Sequence, residues 1–228
     1  MLEIIEKNKY LWDVNHEYYQ KAFSSFKDIT LNYKVYLVGG AVRQGLLGKI
    51  SQDLDFSTSA PKAFLKELGM KSLGFGVFER DGFHITPFRH DGTYKNSRYP
   101  SEVTEGTHEQ DALRRDFTIN ALYLDIVNLD ITDFFGGYRD LQNKTLKVIG
   151  DPYSRFEEDP LRILRLFRFS IEDNLHIESQ TLNVALSSLE LLNQLTQSRL
   201  IKEWQKMTLD DQNQTIKIYP ALKSYIHE

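Results

Sequence analysis

The chain has 228 residues, of which 41% are hydrophobic and 26% charged, which is typical of an ordinary soluble protein with one good-sized domain and a small second one. It contains no cysteine, which excludes disulfide bridges, thiolate catalysis and zinc–thiolate sites. Its formal net charge of −4 argues weakly against nucleic-acid binding. Its arginines are clustered, however, so positive charge can still be concentrated locally. No apolar stretch has transmembrane length and no signal peptide is evident, so we expect a cytoplasmic protein without membrane contact.

A strand, a glycine turn and a helix are predicted near the start of the chain. Residues 1–30 mix apolar and charged side chains at helical spacing and predict one or two helices packed on a sheet. The apolar run Val35–Val38 predicts a buried strand, and Gly39 and Gly40 follow it. Ala41–Leu47 has helical character. Such a turn leaves backbone N–H groups free at the start of the helix, which suits a phosphate group.

The next predicted strand carries Asp53 and Asp55. Residues two apart in a strand project from the same face, so these carboxylates repel each other unless a divalent cation lies between them. Neighbouring oxygen ligands suit Mg²⁺, which also bridges to phosphates. Alone, a glycine pair is usually a turn, and an Asp-x-Asp pair is usually a solvated strand end or a cap. Together they predict a nucleoside triphosphate and Mg²⁺ site.

The run Gly39–Gly48 followed by Asp53–Asp55 resembles the first motif of class II tRNA nucleotidyltransferases and bacterial poly(A) polymerases. One departure is Gln44, where the family commonly has aspartate. The resemblance implies an α+β fold, in which a polymerase-β-like nucleotidyltransferase head with a small mixed sheet flanked by helices occupies residues 1–150. An all-helical neck would then occupy residues 151–228. It also implies that Gly39, Gly40 and Arg43 contact the triphosphate. Asp53 and Asp55 would be the catalytic pair that holds Mg²⁺, with two ions expected.

A helix is predicted over Asp111–Leu122, and within it Arg114–Ala121 matches the second motif of the family nearly letter for letter. Arginine forks bind phosphate oxygens in pairs, which suits a triphosphate. Without the resemblance, the same arginines are equally typical of a surface helix with salt bridges, and Asn120 of a residue that caps or links loops. The resemblance implies nucleotide contacts for Arg114, Arg115, Asp116 and Asn120.

A third cluster repeats every three residues along a predicted helix, with Asp159 followed by Arg162, Arg165 and Arg168. This spacing predicts a slanting basic stripe that Asp159 anchors. Asp159 before Pro160 is also typical of a plain helix N-cap. The string from Glu158 to Phe169 resembles the nucleotide-selecting helix of the family, which implies nucleotide contacts for all four charged residues, with Asp159 and Arg162 facing the base.

The proposed selection follows from hydrogen-bonding chemistry. Cytosine and adenine each present an amino donor beside a ring-nitrogen acceptor, which a carboxylate and a guanidinium can satisfy. Guanine and uracil present the reverse pattern, and each mispairing costs roughly 1–3 kcal/mol. Asp159 and Arg162 would therefore choose C and A without a template.

Three further predictions follow from the resemblance. His84 stands where the family often has a third acidic residue, so that ligand stays open. The polar stretch His90–Pro100 predicts a mobile loop, and the family has a flexible loop here. Arg199 and Glu203 lie in a fainter match to a helix that braces the nucleotide-selecting helix.

The resemblance, which extends over Val35–Phe169, implies that CTP and ATP donate C and A to the 3′ end of tRNA. The alternatives are addition of CC only or A only, poly(A) synthesis, and a non-catalytic nucleotide- or RNA-binding fragment. Relatives continue into further helical regions that grip tRNA. We therefore expect a fragment, an unusually compact enzyme, or a partner that supplies this grip.

Overall fold

The computed structural model describes residues 2–6, 12, 16–92, 94–96, 99–100 and 102–226. The chain divides into two compact units, one of residues 1–92 with 102–138 and one of residues 93–101 with 139–228. This boundary lies before the expected one at residue 150, because Thr145–Leu146 pairs in parallel with His176–Ile177 within the second unit.

Within residues 1–138, the part of the chain that the structure describes contains twelve strands and four complete α-helices. The strands are β1 (Glu3–Ile5), β2 (Val35–Val38), β3 (Asp55–Thr58), β4 (Lys71–Gly74), β5 (Val77–Arg80), β6 (Phe83–Pro87), β7 (Arg89–Asp91), β8 (Tyr94–Asn96), β9 (Tyr99–Pro100), β10 (Val103–Glu105), β11 (Leu122–Asp125) and β12 (Ile131–Asp133). The helices are α1 (Glu17–Ser24), α2 (Gly40–Leu46), α3 (Lys62–Glu67) and α4 (His108–Leu113). Two 3₁₀ helices occupy Ile29–Leu31 and Thr118–Asn120.

The first unit is organised around an eight-stranded sheet in the order β1-β12-β11-β2-β3-β6-β5-β4. β3 and β6 run parallel, and the other neighbouring strands of this sheet are antiparallel. A mixed sheet with flanking helices confirms the predicted head fold. β7 and β10 form a separate antiparallel pair, as do β8 and β9.

Register divides this sheet into a core face and an open face, because successive residues of a strand point to opposite sides. One cross-strand row consists of buried core residues: Leu124, Leu37, Phe56, Ile85 and Phe78. The adjacent row reads Tyr123, Val38, Asp55, His84 and Glu79. Tyr123 and Val38 are buried, and this face is open to solvent at Asp55 and His84. The candidate catalytic residues therefore belong to the face opposite the apolar core.

Several local predictions agree with the structure. Asp81 and Gly82 form the two-residue turn between β5 and β6, with φ of 55° and 84°, as the positive φ angles of tight hairpins require. Gly48 follows α2 with φ of 74°, which is the left-handed conformation that ends many helices.

Three predicted elements differ. Glu3–Ile5 is a strand that pairs with β12 rather than part of a helix, because pairing with a distant strand overrides a local pattern. The helix expected over Asp111–Leu122 ends at Leu113. The loop expected over His90–Pro100 contains strand residues where it is described, while residues 93, 97 and 98 lie outside the described residues.

The second unit is mainly helical and also contains the β8–β9 pair and a parallel two-stranded pair. The expected all-helical region 151–228 includes one strand of the parallel pair, His176–Ile177. After α5 (Gly137–Gln142), which crosses the boundary, its elements are β13 (Thr145–Leu146), α6 (Pro152–Glu158), α7 (Leu161–Glu172), β14 (His176–Ile177), α8 (Ser179–Ser187), α9 (Gln197–Trp204) and α10 (Leu209–Ile218), with 3₁₀ helices at Leu189–Gln194 and Pro220–Ser224. α7 buries its apolar side through Ile163, Leu166 and Phe167. Among the described residues, no helix combines the length and apolar character that crossing a bilayer requires.

Candidate functional site

The glycine turn and the aspartate pair meet at one end of the open sheet face. Val38, the last residue of β2, is the register partner of Asp55, the first residue of β3. Gly39 follows with φ of 71°, and α2 begins at Gly40. Leu54 is 4% exposed, whereas Asp53 and Asp55 on either side of it are exposed. Asp53 precedes the strand rather than lying within it, and its charge acts on the Asp55 carboxylate.

The charge environment of Asp55 favours a cation. Although solvent reaches Asp55, the surrounding protein partly desolvates its carboxylate and raises its pKa. The neighbouring Asp53 raises this pKa further, while Arg115 and His84 lower it. His84 is the register partner of Asp55 on β6 and occupies the next position along the open face. Within the described ranges, no group of three or more acidic or histidine side chains is arranged to hold a metal ion. The predicted donor set thus consists of the two aspartates.

Arg115 extends toward the glycine turn. A Cβ atom added at Gly39 would lie 3.4 Å from the Arg115 Nη1 atom. The Nε atom of Arg115 donates to the Tyr123 hydroxyl at 2.7 Å, and its Nη2 atom donates to the Ser57 hydroxyl at 3.3 Å. The structure therefore brings Arg115, Gly39 and Asp55 together, as the predicted site requires.

Arg114 points elsewhere. Its Nε and Nη2 atoms both donate to Oδ1 of Asp111, at 2.9 and 2.7 Å. This is the salt-bridge arrangement that the sequence left open for it. Both arginines follow the end of α4 rather than lying in a helix, because the chain turns after Leu113.

Three other predicted nucleotide contacts form a buried hydrogen-bond chain. Arg43 is 4% exposed and donates to the side chain of Asn120. Asn120 in turn donates to Oδ1 of Asp116 at 2.9 Å, and both residues are 5% exposed. These side chains link α2 to the 3₁₀ helix at Thr118–Asn120. Arg43 therefore braces α2 through Asn120, and its triphosphate contact stays a prediction.

In the second unit, Arg162 and Asp159 have separate partners. The Nη1 atom of Arg162 donates at 2.8 Å both to Oε2 of Glu158 and to the Arg155 carbonyl. Asp159 lies between α6 and α7, where its Oδ1 atom accepts from the Leu161 N–H at 3.3 Å and from Arg199 at 3.4 Å. The first contact is a form of the helix capping considered for Asp159. The side chains of Asp159 and Arg162 are 15% and 6% exposed.

The other two arginines do not extend an open basic stripe. Arg168 donates to Glu203 and to Glu172, both at 2.9 Å. Its guanidinium also lies over the Phe169 ring at 4.2 Å, and that of Arg165 lies over the same ring at 5.9 Å. Because acidic partners neutralise Arg162 and Arg168, the predicted stripe is a helix braced by ion pairs. The contacts of Arg199 and Glu203 agree with the bracing role that the resemblance implied.

Sequence reasoning missed Asp111, Tyr123 and Glu158 as parts of these clusters. The four-residue spacing from Glu158 to Arg162 is a local signal for an ion pair. No comparable signal identifies Tyr123, because only the fold brings its hydroxyl to Arg115 and Asp111.

Comparison with known proteins identifies relatives of this arrangement. Residues 35–147 match the family model described as the poly A polymerase head domain. The chain is similar to the CCA-adding enzyme of Staphylococcus epidermidis, with 32% identity over 223 residues, which cover 93% of this chain and 56% of the relative. The chain therefore spans about half the length of the curated relatives that it matches.

Solved structures agree. The crystal structure of the Bacillus stearothermophilus CCA-adding enzyme in complex with CTP is similar with a TM-score of 0.71 and 29% identity, covering 82% of this chain and 47% of that one. A tRNA nucleotidyltransferase complexed with a primer tRNA and an incoming ATP analog gives a TM-score of 0.69 and 27% identity, covering 90% of this chain and 62% of that one.

Proposed function

The chain belongs to the family of CCA-adding enzymes that carry a poly A polymerase head domain, and we propose that it transfers C and A from CTP and ATP to the 3′ end of tRNA without a template. In the reaction, the terminal 3′-hydroxyl of the RNA attacks the α-phosphate of the nucleotide. A new P–O bond forms, the bond to the β-phosphate oxygen breaks, pyrophosphate leaves, and the hydroxyl loses its proton.

The single observation that carries this proposal is the meeting of Asp55, Gly39 and Arg115 at one end of the sheet. The backbone of the glycine turn and the guanidinium of Arg115 would hold the triphosphate, because N–H donors and arginine forks both suit phosphate oxygens. Arg43, Asp116 and Asn120 would keep the start of α2 in place through their buried hydrogen bonds.

Asp53 and Asp55 would hold Mg²⁺. Two oxygen donors whose negative charges oppose each other fit a hard divalent cation, since Asp53 raises the pKa of Asp55. Bound there, Mg²⁺ supplies charge neutralisation at the phosphates and activation of the attacking hydroxyl, and two ions would serve both ends of the displacement. The aspartates themselves position this charge beside the glycine turn.

Base selection is proposed for the start of α7. Asp159 would accept a hydrogen bond from the amino group of cytosine or adenine, and Arg162 would donate to the adjacent ring nitrogen. Contacts from Arg199 and Glu158 fix these two side chains, which supports a rigid recognition surface. A bound base would have to meet the Arg162 guanidinium at its small exposed part.

The tRNA partner and the number of nucleotides added are part of the proposal, because the chain matches only about half of its relatives. Two of the similar solved structures are complexes, one with CTP and one with a primer tRNA, which supports tRNA as the acceptor. A further helical region or a partner protein would supply the additional grip on tRNA.

The test incubates the protein with tRNA that lacks its CCA end, Mg²⁺, and labelled CTP or ATP, separately and together. Incorporation of both bases in sequence supports CCA addition. Incorporation of C alone or A alone supports a divided activity, and long A tracts support poly(A) synthesis. The Asp55→Asn variant is the matched control for contaminating activity. Failure of the unchanged protein to incorporate either base, with CTP still bound, would indicate a nucleotide-binding module instead.

A further inference from the structure

Asp111, on α4, carries a fully buried carboxylate that has no part in the function proposed above. It is 0% exposed and accepts hydrogen bonds at both oxygens. Oδ1 accepts the two bonds from Arg114, and Oδ2 accepts from the Tyr123 hydroxyl at 2.6 Å and from the Ser57 hydroxyl at 3.2 Å. Burial raises the pKa of Asp111, but Arg114 and Arg115 lower it more strongly, to about 2. The carboxylate is therefore charged at neutral pH.

The same carboxylate lies beneath Arg115. Oδ2 of Asp111 lies 3.4 Å from Nη2 of Arg115. Burial raises the pKa of Tyr123, so its hydroxyl stays protonated. This hydroxyl donates a hydrogen bond to Asp111 and accepts one from Nε of Arg115. Asp111, Tyr123, Arg115 and Ser57 thus form a closed ring of hydrogen bonds.

Residues of two strands hydrogen-bond one edge of the Arg115 guanidinium. Tyr123 belongs to β11 and Ser57 to β3, which flank β2 on its two sides. The held edge consists of Nε and Nη2, while Nη1 lies against Gly39 at the end of β2. A mobile arginine side chain loses rotamer entropy when it binds a ligand, and a guanidinium that is already fixed in the free protein has lost most of it beforehand.

We propose that Asp111 is a positioning residue for triphosphate binding, acting through Arg115, whose Nη1 atom it holds toward the glycine turn with the help of Tyr123. The proposal rests on the proposed function, because it takes the glycine turn as the triphosphate site. Asp111 itself does not touch the nucleotide. Its charge orients Arg115 and prevents the guanidinium from folding away into solvent.

A double-mutant cycle on CTP binding tests this role. Equilibrium binding of CTP with Mg²⁺, without tRNA, is measured for the unchanged protein, Asp111→Asn, Arg115→Gln and the double variant. Asparagine keeps the shape of the side chain and removes its charge. We expect Asp111→Asn to weaken CTP binding about tenfold, as the loss of one charge-assisted bond implies. Arg115→Gln should weaken it more, and the double variant should bind no more weakly than Arg115→Gln alone.

The control variant is Asp125→Asn. Asp125 is another buried aspartate of the same unit, 5% exposed and paired with Lys34 at 3.0 Å. Its loss should lower the thermal midpoint of unfolding and leave CTP binding unchanged. Tyr123→Phe gives a second route if Asp111→Asn does not fold, because it removes the hydroxyl that accepts from Arg115. It should show the same lack of additivity with Arg115→Gln.

The outcomes separate the two proposals. If the unchanged protein does not bind CTP, the proposed function is contradicted, and this inference with it. If the unchanged protein binds CTP but the effects of Asp111→Asn and Arg115→Gln add fully, Asp111 does not act through Arg115 and the positioning role alone is wrong.

Discussion

Val38 and Asp55 are register partners on adjacent antiparallel strands, so the residue that leads into the glycine turn lies beside the first residue of the strand that carries a candidate metal ligand. This pairing places phosphate-binding backbone and acidic side chain at one end of the sheet. Neither feature alone is diagnostic, but their adjacency defines where a nucleotide would sit. The predictions below test that location and its surroundings.

The first prediction compares alanine at three glycines. Gly39→Ala should weaken CTP binding at least tenfold, because its Cβ would take up space 3.4 Å from Nη1 of Arg115, where the triphosphate is proposed to bind. Gly39 has φ of 71° and ψ of −136°, and Gly48 has φ of 74° with no neighbour within 4 Å of an added Cβ. Positive φ strains alanine at both positions, so each variant should lose about 1 kcal/mol of stability or more, but only Gly39→Ala should lose binding.

Gly40→Ala completes the comparison. Gly40 has no neighbouring atom within 4 Å of an added Cβ and lies in α2, where alanine favours the helix by up to about 1 kcal/mol. The free energy of unfolding should therefore stay constant or rise. Loss of CTP binding with intact stability would show that the ligand approaches the backbone there. Unchanged binding in both Gly39→Ala and Gly40→Ala would exclude the glycine turn as the triphosphate site.

The second prediction concerns the conflict between activity and stability at Asp55. Asp55→Asn should abolish nucleotide transfer, because one remaining carboxylate binds Mg²⁺ too weakly. In Mg²⁺-free buffer, however, it should raise the free energy of unfolding by up to about 1 kcal/mol, as substitutions that relieve a destabilised active site do. Burial and Asp53 both disfavour the charged form. Thermal unfolding with and without Mg²⁺ provides the measurement.

The matched control for Asp55 is Asp28→Asn. Asp28 is a partly exposed aspartate whose carboxylate pairs with Arg80 at 2.8 Å. Its neutralisation should lower stability slightly, by less than about 1 kcal/mol, and leave transfer intact. If Asp55→Asn destabilised the Mg²⁺-free protein as Asp28→Asn does, the claimed repulsion between Asp53 and Asp55 would be wrong.

The third prediction separates base choice from catalysis in the second unit. Asp159→Ala should relax selection of CTP and ATP over GTP and UTP by tenfold or more, since each lost discriminating contact is worth roughly 1–3 kcal/mol. The rate of correct incorporation should fall less. Competition between labelled nucleotides under identical conditions measures the ratio directly.

Glu158→Gln and Glu172→Gln form a matched pair for this test. Each removes an acidic partner of an arginine on α7, Glu158 from Arg162 at 2.8 Å and Glu172 from Arg168 at 2.9 Å. Arg168 keeps Glu203, whereas Arg162 keeps only its bond to the Arg155 carbonyl among the partners described above. We expect Glu158→Gln to alter base selection because it removes the ion pair that orients Arg162, and Glu172→Gln to alter stability only. If Asp159→Ala, Glu158→Gln and Glu172→Gln all select bases as the unchanged protein does, the start of α7 does not take part in base recognition.

Local chemistry was enough to predict much of this site. The glycine pair, the Asp-x-Asp pair and the Asp81-Gly82 turn each depend on residues within a few positions of one another. The structure places the glycine pair, Asp55 and the turn as expected, while Asp53 precedes β3. A bracing role for Arg199 was also implied, through a family resemblance rather than through spacing.

The remaining features depend on residues that only the fold brings together. Asp111 and Ser57 are 54 positions apart, and nothing near Ser57 in the sequence indicates that it contacts a buried carboxylate. Glu3–Ile5 looked helical because its pairing with β12 is not local. The buried bond from Arg43 to Asn120 likewise joins residues that lie 77 positions apart.

The fourth prediction concerns acid stability and His108. Its ring stacks on Phe88 with centroids 4.7 Å apart and an interplanar angle of 4°, and its Nε2 atom has no hydrogen-bond partner among the described residues. Burial lowers the pKa of His108 from 6.5 to about 4, against the opposing effect of Asp111. The folded protein therefore keeps this ring neutral, whereas the unfolded chain binds a proton near pH 6.5.

The sign of the resulting pH dependence follows. The unfolded state binds more protons between pH 6.5 and 4, so the free energy of unfolding should fall as the pH drops through this window, by roughly 3 kcal/mol in all. His108→Phe keeps the stacking and removes the titration, so its stability should fall much less over the same window. Urea unfolding at pH 7, 5.5 and 4.5 measures both proteins. Parallel pH profiles for the two proteins would show that His108 is not held neutral by the fold.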